Sequence, residues 1–124
     1  MIRKGNRLIR LFCIALFVSA SATASAAEWA MRTGDQPFEA AELAAFLASQ
    51  EVRFYDGGRS EYGPDDAYAY VYSSEDRAEG KFRIMDDGSV CIAFDNGFSR
   101  CDLYVRSGDR VLLIDEKGDR FPLR

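Results

Sequence analysis

Residues 91–101 decide the fold, and they read Cys91-Ile92-Ala93-Phe94-Asp95-Asn96-Gly97-Phe98-Ser99-Arg100-Cys101. Asn-Gly between two apolar runs is a strong signal for a β-hairpin, and a three-residue loop with Gly97 in the left-handed conformation would close it. Hydrogen-bonded and non-hydrogen-bonded pairs alternate outward from this loop, so Cys91 faces Cys101 at a non-hydrogen-bonded pair. The spacing therefore predicts a disulfide between Cys91 and Cys101.

The first 26 residues have the pattern of a secretory signal peptide. Basic residues and no acidic ones come first, an apolar run follows at residues 11–18, and small residues lead up to Ala26. This run is shorter than the about 20 residues that a transmembrane helix needs. We expect cleavage after Ala26 and a periplasmic or secreted location, with no stable membrane span after cleavage. An uncleaved membrane anchor is the alternative.

The mature chain, residues 27–124, has the length of a single β-rich domain. Cleavage removes four of the 16 basic residues and none of the 20 acidic ones, so the net charge becomes −8. An acidic surface disfavours nucleic acid and anionic membranes as partners. A domain of this size has a small core, and a disulfide helps to stabilise it.

Two periodicities divide the mature chain. Pro37 and the apolar residues Leu43, Phe46 and Leu47 follow helical spacing and predict an amphipathic helix at about residues 37–49. From there on the period is two, with Gly- and Asp-rich turns every eight to twelve residues. The fold class predicted is mainly β (α+β): the helix packs on a six- or seven-stranded antiparallel meander, which forms a small barrel or a sandwich.

The residue types exclude most catalytic chemistry. The chain has no histidine, which removes the common nucleophile triads and His-ligated zinc. A disulfide between Cys91 and Cys101 leaves neither sulfur free as a nucleophile or metal ligand. The acidic residues lie mostly in turns, where Asp is favoured by turn geometry, and no segment matches a calcium loop. We therefore expect no catalytic residues, no metal and no cofactor, with a carboxylate hydrolase as a remote alternative.

Tyr68, Tyr70 and Tyr72 form the most suggestive surface feature, because alternate residues of a strand share one face. A tyrosine face offers flat apolar area with hydroxyl groups and suits stacking on sugars or contact with proteins. The alternative is that these rings pack in the core. Four arginines could hold an anionic ligand, namely Arg59, Arg77, Arg83 and Arg100.

Several motifs of the C-terminal half are similar to those of a known group of proteins. They are Gly80-Lys81-Phe82-Arg83-Ile84, Asp86-Asp87-Gly88-Ser89-Val90-Cys91, Arg100-Cys101 and Gly118-Asp119-Arg120-Phe121-Pro122. Together they resemble a family of small secreted alphaproteobacterial proteins of unknown function with a C-terminal two-cysteine β-hairpin, although Phe82 stands where that pattern has Trp. The resemblance implies a periplasmic β domain and no catalytic residue.

These observations favour a noncatalytic binding or interaction module of the cell envelope. Its partner would be a protein, a glycan or a small molecule, and Tyr68, Tyr70 and Tyr72 are the candidate ligand-binding residues. The alternative is a small secreted inhibitor of a lysozyme or protease, in which a protruding turn at residues 86–89 or 95–97 enters the target's cleft.

Overall fold

The computed structural model describes residues 28–48 and 50–124, and the predicted signal peptide at residues 1–26 lies outside them. Within these ranges the chain forms nine β-strands and one α-helix. In chain order they are β1 (Asp35–Pro37), α1 (Ala40–Leu47), β2 (Glu51–Arg53), β3 (Arg59–Tyr62), β4 (Ala67–Val71), β5 (Arg77–Ile84), β6 (Ser89–Phe94), β7 (Ser99–Ser107), β8 (Arg110–Asp115) and β9 (Arg120–Pro122). The protein is mainly β, as its sequence pattern predicts.

The strands belong to one antiparallel sheet that curves into a half-barrel. Strands β2 to β9 pair in chain order, and β1 pairs with the far end of β7. The two ends of the series approach each other, because Phe54 and Leu123 form an isolated antiparallel bridge. Next to it, the Arg124 amide donates to the Arg53 carbonyl over 2.8 Å. The predicted meander is therefore a single curved sheet.

The described ranges contain more strands than the six or seven that the sequence predicts. The additional strands include β1 and β3, and neither shows a regular alternation of apolar residues. In β3 the inward positions are Ser60 and Tyr62, while Arg59 and Glu61 point outward. Ser60 is fully buried, and a hydrogen bond of 2.9 Å with the Tyr68 hydroxyl satisfies its hydroxyl group. In the sequence, a serine between two charged residues is typical of a turn, and its burial becomes apparent only in the fold.

Helix α1 is shorter than the predicted span of about 37–49, since it begins at Ala40 and ends at Leu47. Pro37 lies in β1 opposite Val105, so pairing with β7 prevails over the helical preference of this segment. The spacing of the apolar residues is nevertheless helical, and Leu43 and Leu47 are both fully buried.

The cysteine hairpin has the predicted geometry. Cys91 lies opposite Cys101, the two Cα atoms are 4.1 Å apart, and a disulfide joins the side chains. Gly97 closes the loop with φ +88°, and the Phe94 amide donates to the Phe98 carbonyl over 2.8 Å. Because Cys91 and Cys101 use one face of the hairpin, Arg100 and Asp102 point to the opposite, concave face.

The two ends of the half-barrel differ. Successive turns of an antiparallel meander alternate between ends, so the turns after β3, β5 and β7 lie at one end and those after β2, β4, β6 and β8 at the other. Helix α1 covers the first end: Leu43 and Leu47 join the interior core, and Phe38 packs against the turn after β5 at Gly88. The second end carries no helix within the described residues, and we call it the open end.

A second apolar cluster lies on the reverse face of β7 and β8. It consists of Leu103, Val105, Leu112 and Ile114, and Trp29 covers it. The Trp29 indole donates to the Asp87 carboxylate over 3.2 Å. The N-terminal residues of the described chain thus cover this cluster.

An ion pair fastens β1 to β9. The Arg120 guanidinium donates two hydrogen bonds to the Asp35 carboxylate, with lengths of 2.7 and 2.9 Å. The Asp35 side chain is fully buried, and the hydrogen bonds from Arg120 hold the pKa of this carboxyl well below its usual range. The pair joins residues near the two ends of the described chain.

Candidate functional site

A cavity of about 380 Å³ opens at the open end of the half-barrel, and we call it the open-end pocket. It lies between β7, the turns after β2 and β8, and the last strand. Its volume is within the range of sites that hold small organic molecules. This pocket lies at the end of the half-barrel opposite to helix α1.

Aromatic rings form the walls of the pocket. They come from four separate parts of the chain, and they are Phe54, Tyr70, Phe98 and Phe121. Phe98 and Phe121 are exposed, and the Phe98 side chain is 64% accessible to solvent. Such rings offer flat apolar surface to a ligand that enters from solvent.

Arg100 lies at the inner side of the pocket and is held by several neighbours. Its guanidinium carbon is 5.3 Å from the Tyr70 ring centre and 5.7 Å from the Phe94 ring centre, both within cation–π range. One of its Nη atoms donates to the Tyr68 hydroxyl over 3.2 Å. These contacts fix the orientation of the guanidinium, while 34% of the side chain remains accessible.

Asp102 is the partner of Arg100 in the pocket floor. Its Oδ2 atom is 3.1 Å from Arg100 Nε, close enough for strong charge attraction. The two atoms are not aligned for a hydrogen bond, and neither has another partner among the described residues. Only 3% of the Asp102 side chain is accessible. The pair therefore combines opposite charges with an unfilled donor and an unfilled acceptor.

Burial raises the pKa of Asp102 to about 6. The positive charge of Arg100 opposes this shift, whereas the negative charges of Asp115 and Glu116 increase it. Asp115 is the cross-strand neighbour of Asp102 on β8, which explains its influence. Asp102 therefore changes its charge near neutral pH, far above the range of an ordinary aspartate.

Two buried tyrosines of the interior core, Tyr62 and Tyr104, form a hydrogen-bonded pair. The hydroxyls of Tyr62 and Tyr104 share a hydrogen bond of 2.7 Å, and both side chains are buried. Burial raises the pKa of both phenols, so they remain neutral at physiological pH. They act as a hydrogen-bonded pair inside the core and do not supply a reactive phenolate.

The acidic side chains at the rim of the pocket stabilise turns. Asp56 Oδ1 accepts from the Gly58 amide over 2.8 Å, and Asp115 Oδ1 accepts from the amides of Lys117 and Asp119. The Glu116 carboxylate accepts from the Cys101 amide. Each of these carboxylates thus stabilises the local backbone conformation and adds negative charge to the rim.

The three tyrosines of the predicted ligand face differ in how deeply they are buried. Tyr68 is buried, with 3% of its surface accessible, and burial raises its pKa to about 12. Tyr70 is half-buried and lines the open-end pocket, whereas Tyr72 is 51% accessible. The Tyr70 and Tyr72 ring centres are 4.9 Å apart. Tyr70 reaches the pocket, Tyr72 packs beside it, and Tyr68 supports Arg100 from below.

Of the four candidate arginines, Arg100 lines the open-end pocket. Arg59 and Arg77 form ion pairs on the outer face, where both contact Glu61. Arg83 is exposed on β5.

The two turns suggested for an inhibitor differ in packing and in exposure to solvent. The turn at residues 86–89 is packed against the protein: a Cβ at Gly88 would lie 2.2 Å from the Phe38 carbonyl oxygen, and Ser89 is buried. The turn at residues 95–97 is fully exposed and is followed by the exposed ring of Phe98.

Two further observations concern the described residues. Across residues 28–48 and 50–124, the acidic and cysteine side chains form no cluster of three or more that could hold a metal ion. Among the same residues, no helix is both long enough and apolar enough to cross a membrane.

The fold and the pocket define a class: a small, disulfide-linked β half-barrel with a helix at one end and a ligand-sized pocket at the other. No protein-family model matches the chain, and no curated protein or solved structure is similar enough to count as a match.

Sequence reasoning did not identify Asp102 or the phenylalanine walls of the pocket. A signal for Asp102 was present, because Arg100 and Asp102 flank Cys101 and must face away from the disulfide. Phe54 and Phe121 carry no comparable signal, since curvature of the whole sheet brings them together.

Proposed function

We propose that this protein is a noncatalytic binding module of the bacterial cell envelope, exported to the periplasm or beyond, and that the open-end pocket holds its ligand. The observation that carries the proposal is the pocket itself, with aromatic walls above the half-exposed Arg100 and the buried Asp102. Apolar walls with a few convergent polar groups are typical of small-molecule sites. The resemblance to small secreted alphaproteobacterial proteins stays a prediction and agrees with such a role.

The destabilising charge of Asp102 supports a functional role for the pocket. A carboxyl whose pKa is raised by burial weakens the folded state when it ionises. Strongly shifted groups in clefts are frequent at functional sites. An apolar residue would fill this position without that cost, so the charge is better explained by a ligand than by folding.

Binding is favoured over catalysis by the arrangement of the acids. A glycosidase needs two carboxyl groups that flank the scissile bond, one of them with a raised pKa. Asp102 meets the pKa requirement, but its carboxyl is paired with the Arg100 guanidinium, whose Nε atom lies 3.1 Å from Oδ2. Asp115 on the neighbouring strand already accepts two backbone amides. The pocket thus presents its acids as fixed binding groups.

Export is supported by the signal-like N-terminus and by the disulfide, since structural disulfides form in oxidising compartments. The test is expression of the full chain in a bacterium followed by cell fractionation and mass spectrometry. The expected result is a periplasmic or secreted product with the mass of residues 27–124 and one disulfide. An uncleaved chain in the cytoplasm or membrane would overturn the proposed location.

Binding is tested by native mass spectrometry of the exported protein with a library of small saccharides, amines and carboxylates. We expect a one-to-one adduct that the Arg100→Gln variant loses and the Tyr55→Ala variant keeps. Tyr55 is a suitable control because it is 66% accessible and lies outside the pocket. Turnover of a library member that Asp102→Asn abolishes would show an enzyme, and no adduct at all would overturn the pocket as a ligand site.

An inhibitor is the second candidate, because the exposed turn at residues 95–97 presents Phe98 to solvent. It predicts stoichiometric loss of activity when the protein is titrated into a lysozyme or a secreted protease. In that case Phe98→Ala would abolish inhibition while Arg100→Gln would not, since Arg100 lies inside the pocket. The binding-module proposal expects no such inhibition.

A further inference from the structure

We propose that the ligand of the open-end pocket is a neutral saccharide, of which the pocket holds one or two sugar rings. This inference rests on the proposed function and adds the chemical class of its ligand. It follows from three properties of the pocket: the mixture of charges in its lining, the unfilled hydrogen-bonding groups in its floor, and the aromatic walls.

Charges of both signs line the pocket. The carboxylates are Asp56, Asp102, Asp115 and Glu116, and the cationic side chains are Arg100 and Lys117. A carboxylate only accepts hydrogen bonds at neutral pH, and a guanidinium or ammonium only donates them. A ligand that fits this lining must therefore both donate and accept.

A charged ligand fits the lining less well. An organic anion could pair with Arg100, but it would lie close to Asp102 and the acidic rim. An organic cation could pair with the rim acids, but it would meet Arg100 in the floor. Like charges brought together in a partly desolvated site weaken binding. A neutral ligand avoids both penalties.

A hydroxyl group matches the pocket floor. Arg100 Nε is a donor without an acceptor, and Asp102 Oδ2 is an acceptor without a donor. A hydroxyl can accept from a guanidinium and donate to a carboxylate through the same oxygen. Both atoms are buried and 3.1 Å apart, so one sugar hydroxyl satisfies both groups once the Arg100 side chain moves away from Asp102. The partial exposure of the Arg100 side chain leaves it room to move.

The walls match the remaining surface of a sugar. A pyranose ring has apolar C–H faces as well as hydroxyl edges, and flat aromatic rings cover such faces. Phe121 and Phe98 offer exposed rings on the pocket wall, and Tyr70 adds a hydroxyl beside its ring. Hydroxyl edges would then face the charged floor and rim, so that apolar and polar parts of the ligand meet matching surfaces.

The inference is tested by ¹⁵N NMR titration of the exported protein with defined probes. The saccharide probes are methyl β-D-glucopyranoside, N-acetyl-D-glucosamine and cellobiose; the charged probes are benzylamine, benzoate and phenylalanine. We expect saccharides to shift the amide signals of residues 99–102 and 115–117. The dissociation constant should change less than about twofold between 20 and 500 mM NaCl, because a neutral ligand is not screened by salt.

Variants then locate the contacts. Phe121→Ala should weaken saccharide binding about fivefold through loss of stacking, and Arg100→Gln about tenfold through loss of a charged donor. Tyr55→Ala should leave the affinity unchanged. Circular dichroism of each variant checks that the fold is retained.

The outcomes separate the two proposals. Salt-dependent binding of benzylamine, benzoate or phenylalanine without saccharide binding would overturn the saccharide class and leave the pocket as a ligand site. Saccharide signals confined to residues outside the pocket would also overturn the inference. No response at the pocket to any probe would count against both the inference and the proposed function.

Discussion

Replacing Asp102 by asparagine should make the protein more stable at pH 8. Burial raises the pKa of Asp102 from 3.8 to about 6 in the folded state. One pKa unit corresponds to about 1.4 kcal/mol, so ionised Asp102 lowers the free energy of unfolding by about 3 kcal/mol relative to its neutral form. Asparagine has the shape of the neutral carboxyl and carries no charge. The expected gain for Asp102→Asn at pH 8 is therefore about 3 kcal/mol.

The pH dependence gives the sign of this effect. Because the folded-state pKa is the higher one, the folded protein binds the proton more tightly than the unfolded chain. The contribution of neutral Asp102 to stability is fully present below pH 3.8 and is lost as the pH rises through about 6. The difference between variant and wild type should thus be largest above pH 7 and shrink towards pH 4.

Urea denaturation of both proteins between pH 4 and pH 8 measures this difference, with Asp109→Asn as the control. Asp109 is an exposed turn residue, so its substitution should not alter the pH dependence. If Asp102→Asn is less stable than wild type at pH 8, then attraction between Asp102 and Arg100 outweighs the burial penalty, and the reasoning is refuted.

Three further effects follow from single features. Gly97→Ala should lose about 1 kcal/mol, because φ is +88° and no atom lies within 4 Å of the added Cβ; a normal urea midpoint would contradict this. Replacing both Cys91 and Cys101 by alanine should cost about 3 kcal/mol through the entropy of the unfolded chain, measured by thermal unfolding. Tyr104→Phe should cost about 1–2 kcal/mol by leaving the Tyr62 hydroxyl unpaired. The double variant with Tyr62→Phe should cost less than the sum of the two single ones, and additive losses would speak against a coupled pair.

The cysteine hairpin could be predicted in detail because all of its determinants are local. Turn type, side-chain alternation and cysteine spacing lie within residues 91–101, and together they fix the pairing of Cys91 with Cys101. The start of helix α1 could not be predicted in this way. Pro37 is compatible with a first helical turn, but its partner Val105 lies 68 positions further along the chain, so only the folded sheet assigns it to a strand.

The burial of the three tyrosines could not be predicted from their spacing in the sequence. Alternation places Tyr68, Tyr70 and Tyr72 on one face but gives no depth along the half-barrel. Depth depends on which end the helix covers, and this makes Tyr68 part of the interior and leaves Tyr72 in solvent. The pocket itself depends on Phe54 and Phe121, which are 67 positions apart in sequence.

Residues 120–124 make contacts with distant parts of the sequence, and these contacts affect the order of folding. Arg120 pairs with Asp35 across 85 positions, Leu123 bridges to Phe54, and the Arg124 amide bonds to Arg53. Hairpins between neighbouring strands close short loops, whereas these contacts close nearly the whole domain at a larger entropic cost. A chain still emerging from a ribosome or a translocon can form the hairpins but not these contacts. The open-end pocket is therefore completed only after Phe121 has been synthesised.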